Sequence, residues 1–145
     1  MYPILLILHK LLMWAVIALF ILNIFNFISK KSSNKEWDNK DTMLSKIFMI
    51  IFDIQITIGL VLYFLFSPIT KTALLAGKEM MKNSELRFYT VEHIFTMLIA
   101  IAIAHVGLIK LKNKEKSVDK YKTGIIFFII SFILVLSRIP WNRIF

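Results

Sequence analysis

The chain has 145 residues, 58% of them hydrophobic, and a mean hydropathy of +0.72. A soluble domain is usually only about half apolar, and the lack of cysteine excludes disulfides, iron–sulfur clusters and covalently attached c-type haem. The formal net charge is +9. Because the basic residues flank apolar segments, attraction to a membrane surface explains this charge, and we expect lipid rather than nucleic acid as the partner.

The excess hydrophobicity lies in four blocks that are long enough for membrane-crossing helices. Such a helix needs ~20 mostly apolar residues, and the fourth block is shorter but carries no charge before Arg138. Short connections make each helix antiparallel to the one before. We therefore predict an all-α fold, an integral membrane up-down four-helix bundle that forms a single transmembrane domain over residues 1–145. The predicted helices cover residues of about 3–28, 44–66, 88–109 and 123–139.

The distribution of lysine predicts the orientation of this bundle. Two connections, between helices 1 and 2 and between helices 3 and 4, are rich in lysine, whereas the longer connection between helices 2 and 3 holds only four basic residues. The positive-inside rule then places both termini outside and the lysine-rich loops in the cytoplasm. The lysines of these loops are Lys30, Lys31, Lys35, Lys40, Lys46, Lys110, Lys112, Lys114, Lys116, Lys120 and Lys122.

The first two predicted helices carry polar residues at two depths. A rise of about 1.5 Å per residue puts His9 roughly 9 Å inside the outer boundary. Gly59 lies seven residues from the outer end of helix 2, at nearly the same depth, where a glycine lets a flat macrocycle approach the backbone. Asp53 and Gln55 lie deeper. Asp41 or Thr42 is expected to cap helix 2.

The connection between the second and third helices alternates short apolar and polar groups, which is consistent with a short helix in the outer interface. Asn83 or Ser84 is expected to cap helix 3. His93 then lies roughly 8 Å below the outer boundary, matching His9, and His105 lies about 18 Å deeper and about 120° around the helix. His93 and His105 therefore cannot share one small ion.

The last helix is expected to stop at Pro140, with Trp141 at the interface. Phenylalanines are predicted to face lipid and the interface. Three arginines, Arg87, Arg138 and Arg143, lie at the outer ends of helices 3 and 4, and their guanidinium groups suit carboxylates.

These residues together match what a b-type haem needs. Two imidazoles, His9 and His93, would bind the haem iron axially, with Gly59 against the ring. The residues Arg87, Arg138 and Arg143 would hold the propionates. Met13 and Met97 would form soft contacts with the walls.

At the inner level Asp53, Gln55 and His105 form a second candidate site. An Asp–His pair in a membrane could carry protons or bind a quinone oxygen, or could be a structural hydrogen bond. Glu92 could orient His93, or could be a first-turn carboxylate favoured by the helix dipole.

The chain resembles small bacterial four-helix membrane proteins labelled "cytochrome B" over nearly its whole length. The matching residues are Leu8-His9, Gln55-x-x-x-Gly59, Leu86-Arg87-x-Tyr89-x-x-Glu92-His93 and Ser137-Arg138-Ile139-Pro140-Trp141. The resemblance implies a haem protein of electron transfer. In these relatives a histidine often stands where this chain has Asp53, so a second, inner haem site would lack one ligand here.

The resulting hypothesis is a small b-type cytochrome of the bacterial cytoplasmic (inner) membrane, with haem b as cofactor. It would carry electrons between a quinone pool and a redox partner, as an electron carrier or accessory subunit rather than an independent enzyme. Other membrane subunits or further copies of the chain are the expected partners. Two alternatives stay open: a haem-free structural or assembly subunit, and a proton or metal-ion path built on Asp53, Gln55, Glu92 and His105.

Overall fold

The computed structural model describes residues 1–144, and within them the chain is helical without strands. Four long helices dominate, each long and apolar enough to cross a membrane. A short fifth helix, α3, follows the second of them, and brief 3₁₀ turns lie at Gly77–Met81 and Trp141–Arg143. The helices are α1 (Tyr2–Ser32), α2 (Asn39–Phe66), α3 (Pro68–Ala76), α4 (Ser84–Lys112) and α5 (Ser117–Ser137).

The four long helices pack side by side around one interior. α1 packs on α2 and α5, and α4 packs on α5 and α2, so α1 and α4 are diagonal to each other. The first residues of α1, residues 138–144 and α3 lie at one end, called here the terminal end, where Lys10 Nζ donates a 2.8 Å hydrogen bond to the Arg143 carbonyl. The two lysine-rich connections meet at the opposite end, the lysine-rich end, where the Trp37 amide donates to Ser117 Oγ at 2.8 Å.

Every long helix is longer than its predicted apolar block. α2 begins at Asn39 and α5 at Ser117, five and six residues before the apolar runs. The prediction that Asp41 or Thr42 caps α2 is wrong: Asp38 is the cap and Asp41 supplies the third-position carboxylate of a capping box. Hydrophobicity marks the part that fits hydrocarbon, whereas capping decides where the helix begins. Asn83 caps α4, as predicted.

Five phenylalanines fill the middle of the interior rather than facing lipid, which corrects the expectation for this residue type. Their rings stack and cross in tilted and edge-to-face pairs, with the Phe20 and Phe48 centroids 4.5 Å apart. Such pairs contribute ~0.5–1.5 kcal/mol each beyond burial. These buried rings are called here the phenylalanine cluster. It consists of Phe20, Phe27, Phe48, Phe52 and Phe128.

A buried polar network closes the lysine-rich end. Asp41 is only 1% exposed, and its carboxylate accepts hydrogen bonds from Lys30 (2.8 Å), Asn26 (2.7 Å) and the Tyr121 hydroxyl (3.0 Å). Lys30 also binds Asp38 at 2.8 Å, and this hydrogen bond lowers the pKa of Asp38 to about 2. The network joins α1, α2 and α5, and it was not predicted from the sequence.

Candidate functional site at the terminal end

A cavity of about 440 Å³ opens in the interior at the terminal end. Its walls come from α1, α2 and α4, the last residues of the chain close one side, and α3 contributes Ile69 and Thr70. The volume lies within the range of about 300–1,000 Å³ that is usual for sites of small molecules and cofactors. Phe52 of the phenylalanine cluster lines the cavity as well.

The two histidines that were matched by depth meet across this cavity. His9 and His93 come from the diagonal helices α1 and α4, and their ring centroids are 6.5 Å apart with planes at 73°. An imidazole nitrogen coordinates a metal at about 2 Å, so two rings that share one iron have centres roughly 6 Å apart. The observed separation therefore leaves room for one metal between the rings.

The hydrogen bonding of His93 leaves one ring nitrogen free to act as a ligand. His93 Nδ1 lies 2.7 Å from the backbone carbonyl oxygen of Arg138. Because a carbonyl only accepts hydrogen bonds, Nδ1 carries the proton and Nε2 keeps its lone pair. A backbone carbonyl that fixes the tautomer of an imidazole is the usual outer partner of a metal-binding histidine.

His9 and Gln55 present the unpartnered polar atoms of the cavity. His9 Nδ1 and Gln55 Oε1 are buried without a hydrogen-bond partner, the two such side-chain atoms in residues 1–144. The Gln55 backbone carbonyl lies close to the His9 ring, but the two groups do not meet the geometry of a hydrogen bond. Buried polar atoms are rarely left unpaired, and these two atoms are available to hydrogen-bond a ligand in the cavity.

Gly59 lies directly against His9. A Cβ atom at Gly59 would come within 3.0 Å of His9 Cε1, a tighter approach than side chains normally make. The missing side chain on α2 therefore lets the imidazole occupy its position. Met13 and Met97, which were predicted as wall residues, also line the cavity.

The predicted arginines divide into two groups. Arg143 lines the cavity, with its guanidinium 5.2 Å from the Tyr89 ring centre and paired with Glu85. Arg87 and Arg138 are not among the lining residues. Both lie beside Glu92 instead.

Glu92 occupies a position between these two arginines. Its carboxylate accepts from Arg87 Nε at 2.9 Å and lies 3.7 Å from Arg138 Nε. Lys10, which the sequence analysis did not select, lines the cavity. Its position next to His9 in the sequence could have indicated that it lies near the same cavity.

Two π-helical segments flank the site, Leu62–Phe66 at the end of α2 and Phe88–Glu92 immediately before His93. The Tyr63 hydroxyl of the first donates a 3.0 Å hydrogen bond to the Thr90 carbonyl of the second. Single-turn π segments in helices occur frequently at functional sites. Here they connect the helix that carries Gly59 to the helix that carries His93.

The residues of the inner candidate site do not all come together. His105 Nε2 and Asp53 Oδ1 form a 2.8 Å pair, and both side chains are about half exposed, at 45% and 48%. Gln55 instead points into the cavity at the terminal end, because two residues along a helix turn the side chain by about 200°. Since Glu92 lies at the terminal end and Asp53 faces outward, no continuous polar seam joins the residues of the proposed proton or metal-ion path.

No group of three or more histidine, cysteine, aspartate or glutamate side chains that could hold a metal ion occurs in residues 1–144. A metal at this site would therefore need further ligands from a cofactor. Comparisons with protein-family models, with curated proteins and with solved structures find no significant match to the chain. The resemblance to the "cytochrome B" proteins thus stays a prediction, and support for a function comes from the geometry of the site.

Proposed function

We propose that the protein is a small integral membrane b-type cytochrome, an up-down four-helix bundle that carries electrons between a quinone pool and a redox partner. The observation that carries the proposal is the His9–His93 pair, whose ring centroids lie 6.5 Å apart inside a cavity of about 440 Å³. Bis-histidine ligation across the core of a helical bundle is an established way to hold haem.

The residues of the cavity fit a haem in three respects. His93 is held by a backbone carbonyl in the tautomer that frees Nε2, and His9 is buried with Nδ1 unpaired. Gly59 lets the His9 imidazole pack directly against α2, where a side chain would displace this ligand. Met13 and Met97 add polarisable apolar walls. A haem supplies a one-electron redox couple, and the axial ligands and the burial of the site tune its potential.

Lys10 and Arg143 are the residues best placed to bind the haem propionates. Both line the cavity at its terminal end, and the ammonium of Lys10 already lies beside the carbonyl of Arg143. Guanidinium and ammonium groups bind carboxylates through charge-assisted hydrogen bonds. Arg87 and Arg138 then act indirectly, because Glu92 engages both and the Arg138 carbonyl holds His93.

The location of the protein in the cell is proposed from its helices and its distribution of lysine. Four apolar helices with lysine clustered at one end fit a multi-pass protein of the bacterial cytoplasmic membrane, with the lysine-rich end in the cytoplasm. The haem would then lie near the outer face. A partner subunit or a second copy of the chain would complete the electron-transfer complex.

An absorption spectrum of protein purified from haem-replete cells tests the proposal. We expect reduced-minus-oxidised α and Soret bands, with about one haem per chain. His9→Ala and His93→Ala should each abolish these bands, because each removes an axial ligand. His105→Ala is the matched control, since it removes the third histidine outside the cavity and should leave the bands intact.

Two outcomes would contradict the cytochrome. One is a haem-free preparation that also fails to bind added haemin, which would favour the alternative of a haem-free structural or assembly subunit. The other is a haem spectrum that survives both His9→Ala and His93→Ala.

A further inference from the structure

The Asp53–His105 pair lies outside the cavity and serves no role in the proposed haem site. Asp53 is seven residues beyond Lys46, roughly 10 Å along α2 from that lysine, and His105 is five residues before Lys110, roughly 8 Å along α4 from that lysine. Both side chains are about half exposed on the outside of the bundle. If the helices span a membrane, the pair faces hydrocarbon, where a polar side chain is costly and usually functional.

The pair leaves two polar atoms unused. Within residues 1–144 the structure gives no hydrogen-bond partner to Asp53 Oδ2 or to His105 Nδ1. With Asp53 ionised and His105 neutral, the carboxylate only accepts hydrogen bonds, so His105 Nε2 carries the proton of the 2.8 Å pair and Nδ1 keeps a lone pair. The free positions are therefore both acceptors, and they fit a ligand that donates a hydrogen bond.

The surroundings limit how such a ligand arrives. Isoleucines one turn or less from the pair, Ile50, Ile54 and Ile109, are exposed. They place exposed apolar surface near the two acceptors. A ligand that reaches this position through lipid must be apolar and carry a hydrogen-bond donor, such as a hydroxyl group, at one end.

We propose that Asp53 and His105 bind the hydroxyl group of a reduced, lipid-soluble quinone, that is, a hydroquinone headgroup. The identity of the ligand rests on the proposed function, which needs an electron donor that travels in the membrane. His105 Nδ1 accepts the hydrogen bond from the hydroxyl, and Asp53 fixes the tautomer that makes this possible. The same arrangement orients the imidazole in Asp–His pairs of enzyme active sites.

The three histidines of the chain allow a direct test. The full-length protein, with ¹⁵N-labelled histidine, is placed in zwitterionic lipid nanodiscs, and decylhydroquinone is added under reducing conditions. We expect a His105 spectrum of the Nε2-protonated tautomer, and a saturable shift of its Nδ1 signal. His9 and His93 are internal controls, and their signals should not move.

Four further measurements sharpen the test, two with other ligands and two with variants. The dimethyl ether of decylhydroquinone and dioctanoylglycerol should leave His105 unshifted at the same concentration, since one lacks the hydroxyl hydrogens and the other lacks the ring. Asp53→Asn should weaken hydroquinone binding about tenfold or more, because it removes the charged acceptor. Thr57→Ala is the matched control one turn away on the exposed side of α2 and should leave the affinity unchanged.

The proposal is overturned if hydroquinone leaves His105 unshifted, if only His9 and His93 respond, or if the dimethyl ether or dioctanoylglycerol binds as well. A haem-free preparation that fails to bind added haemin but still shows the His105 shift would reject the cytochrome while retaining this site. A normal haem spectrum without the His105 shift would do the reverse, so the two failures are distinguishable.

Discussion

At the scale of single residues, Gly59 shows how one missing side chain shapes the site. A Cβ there would lie 3.0 Å from His9 Cε1, so Gly59→Ala must displace the imidazole. Forced overpacking costs ~1–3 kcal/mol, which corresponds to roughly 5- to 150-fold in haem affinity if the bound form bears the cost. Haemin titration followed by absorbance measures the change. Thr57→Ala on the exposed side of α2 is the control, and equal affinity of both variants would contradict the role of Gly59.

Asp41 and Asp38 both bind Lys30, yet we expect them to differ in their effect on stability. Asp41 is buried and Asp38 is exposed. Asp41→Asn leaves a lysine ammonium beside a neutral amide, and the loss of one partner of a buried ion pair costs about 2 kcal/mol or more. Asp38→Asn should change little, since asparagine also caps a helix and exposed pairs contribute little.

Reversible unfolding by sodium dodecyl sulfate in mild-detergent micelles measures both variants. A larger loss of the free energy of unfolding in Asp38→Asn than in Asp41→Asn would contradict the assignment of the network as buried.

The depth of each residue in the bundle could be predicted from the sequence. The direction in which its side chain points could be predicted only in part. Counting along ideal helices brought His9 and His93 to one level, and the structure places them in one cavity. The same counting grouped Gln55 with Asp53, although the two point to different sides of α2. The pairing of Glu92 with arginine depends on π-helical turns and side-chain directions that a depth argument does not contain.

At the scale of helices, small residues set the closest approach in the bundle. On α4 the buried Ala100, Ala104 and Gly107 face α5, and a Cβ at Gly107 would lie only 2.3 Å from Phe127 Cβ. In lipid, where helices gain no hydrophobic drive to associate, such close packing is a main source of stability. The Ser131 hydroxyl adds a 2.7 Å hydrogen bond to the Ala100 carbonyl.

Gly107→Ala should therefore push α4 and α5 apart. We expect a loss of ~1–3 kcal/mol in the free energy of unfolding, the usual cost of overpacking. Ala102→Leu adds more volume to the exposed side of the same helix and should stay within ~0.5 kcal/mol of the parent. Unfolding in mixed micelles compares the two, and a larger effect at residue 102 would contradict the tight α4–α5 contact.

The number of long helices followed from hydrophobicity, whereas their ends and interior did not. Apolar blocks located all four, yet α5 begins six residues early because polar residues continue the helix beyond the apolar run. Likewise, a uniformly apolar helix does not reveal which phenylalanines face inward. Phe20 and Phe128 are fully buried, whereas Phe25 and Phe95 are exposed.

At the scale of the whole molecule, the orientation of the bundle in the membrane decides which face would present the cavity. The lysine-rich loops predict that the terminal end faces outward. Because the chain has no cysteine, single introduced cysteines can test this orientation without background labelling.

Two exposed positions suit cysteine labelling: Ser33→Cys at the lysine-rich end and Lys78→Cys at the terminal end. In spheroplasts of a bacterial host, a membrane-impermeant maleimide should label Lys78→Cys at once and Ser33→Cys only after lysis. The opposite pattern would place the cavity on the cytoplasmic side and reverse the direction from which the proposed redox partner would reach the proposed haem. Labelling of both positions in intact spheroplasts would contradict a spanning bundle. Because the histidine pair lies only about 9 Å from the terminal end by helix rise, the labelling pattern also decides which compartment must hold that partner.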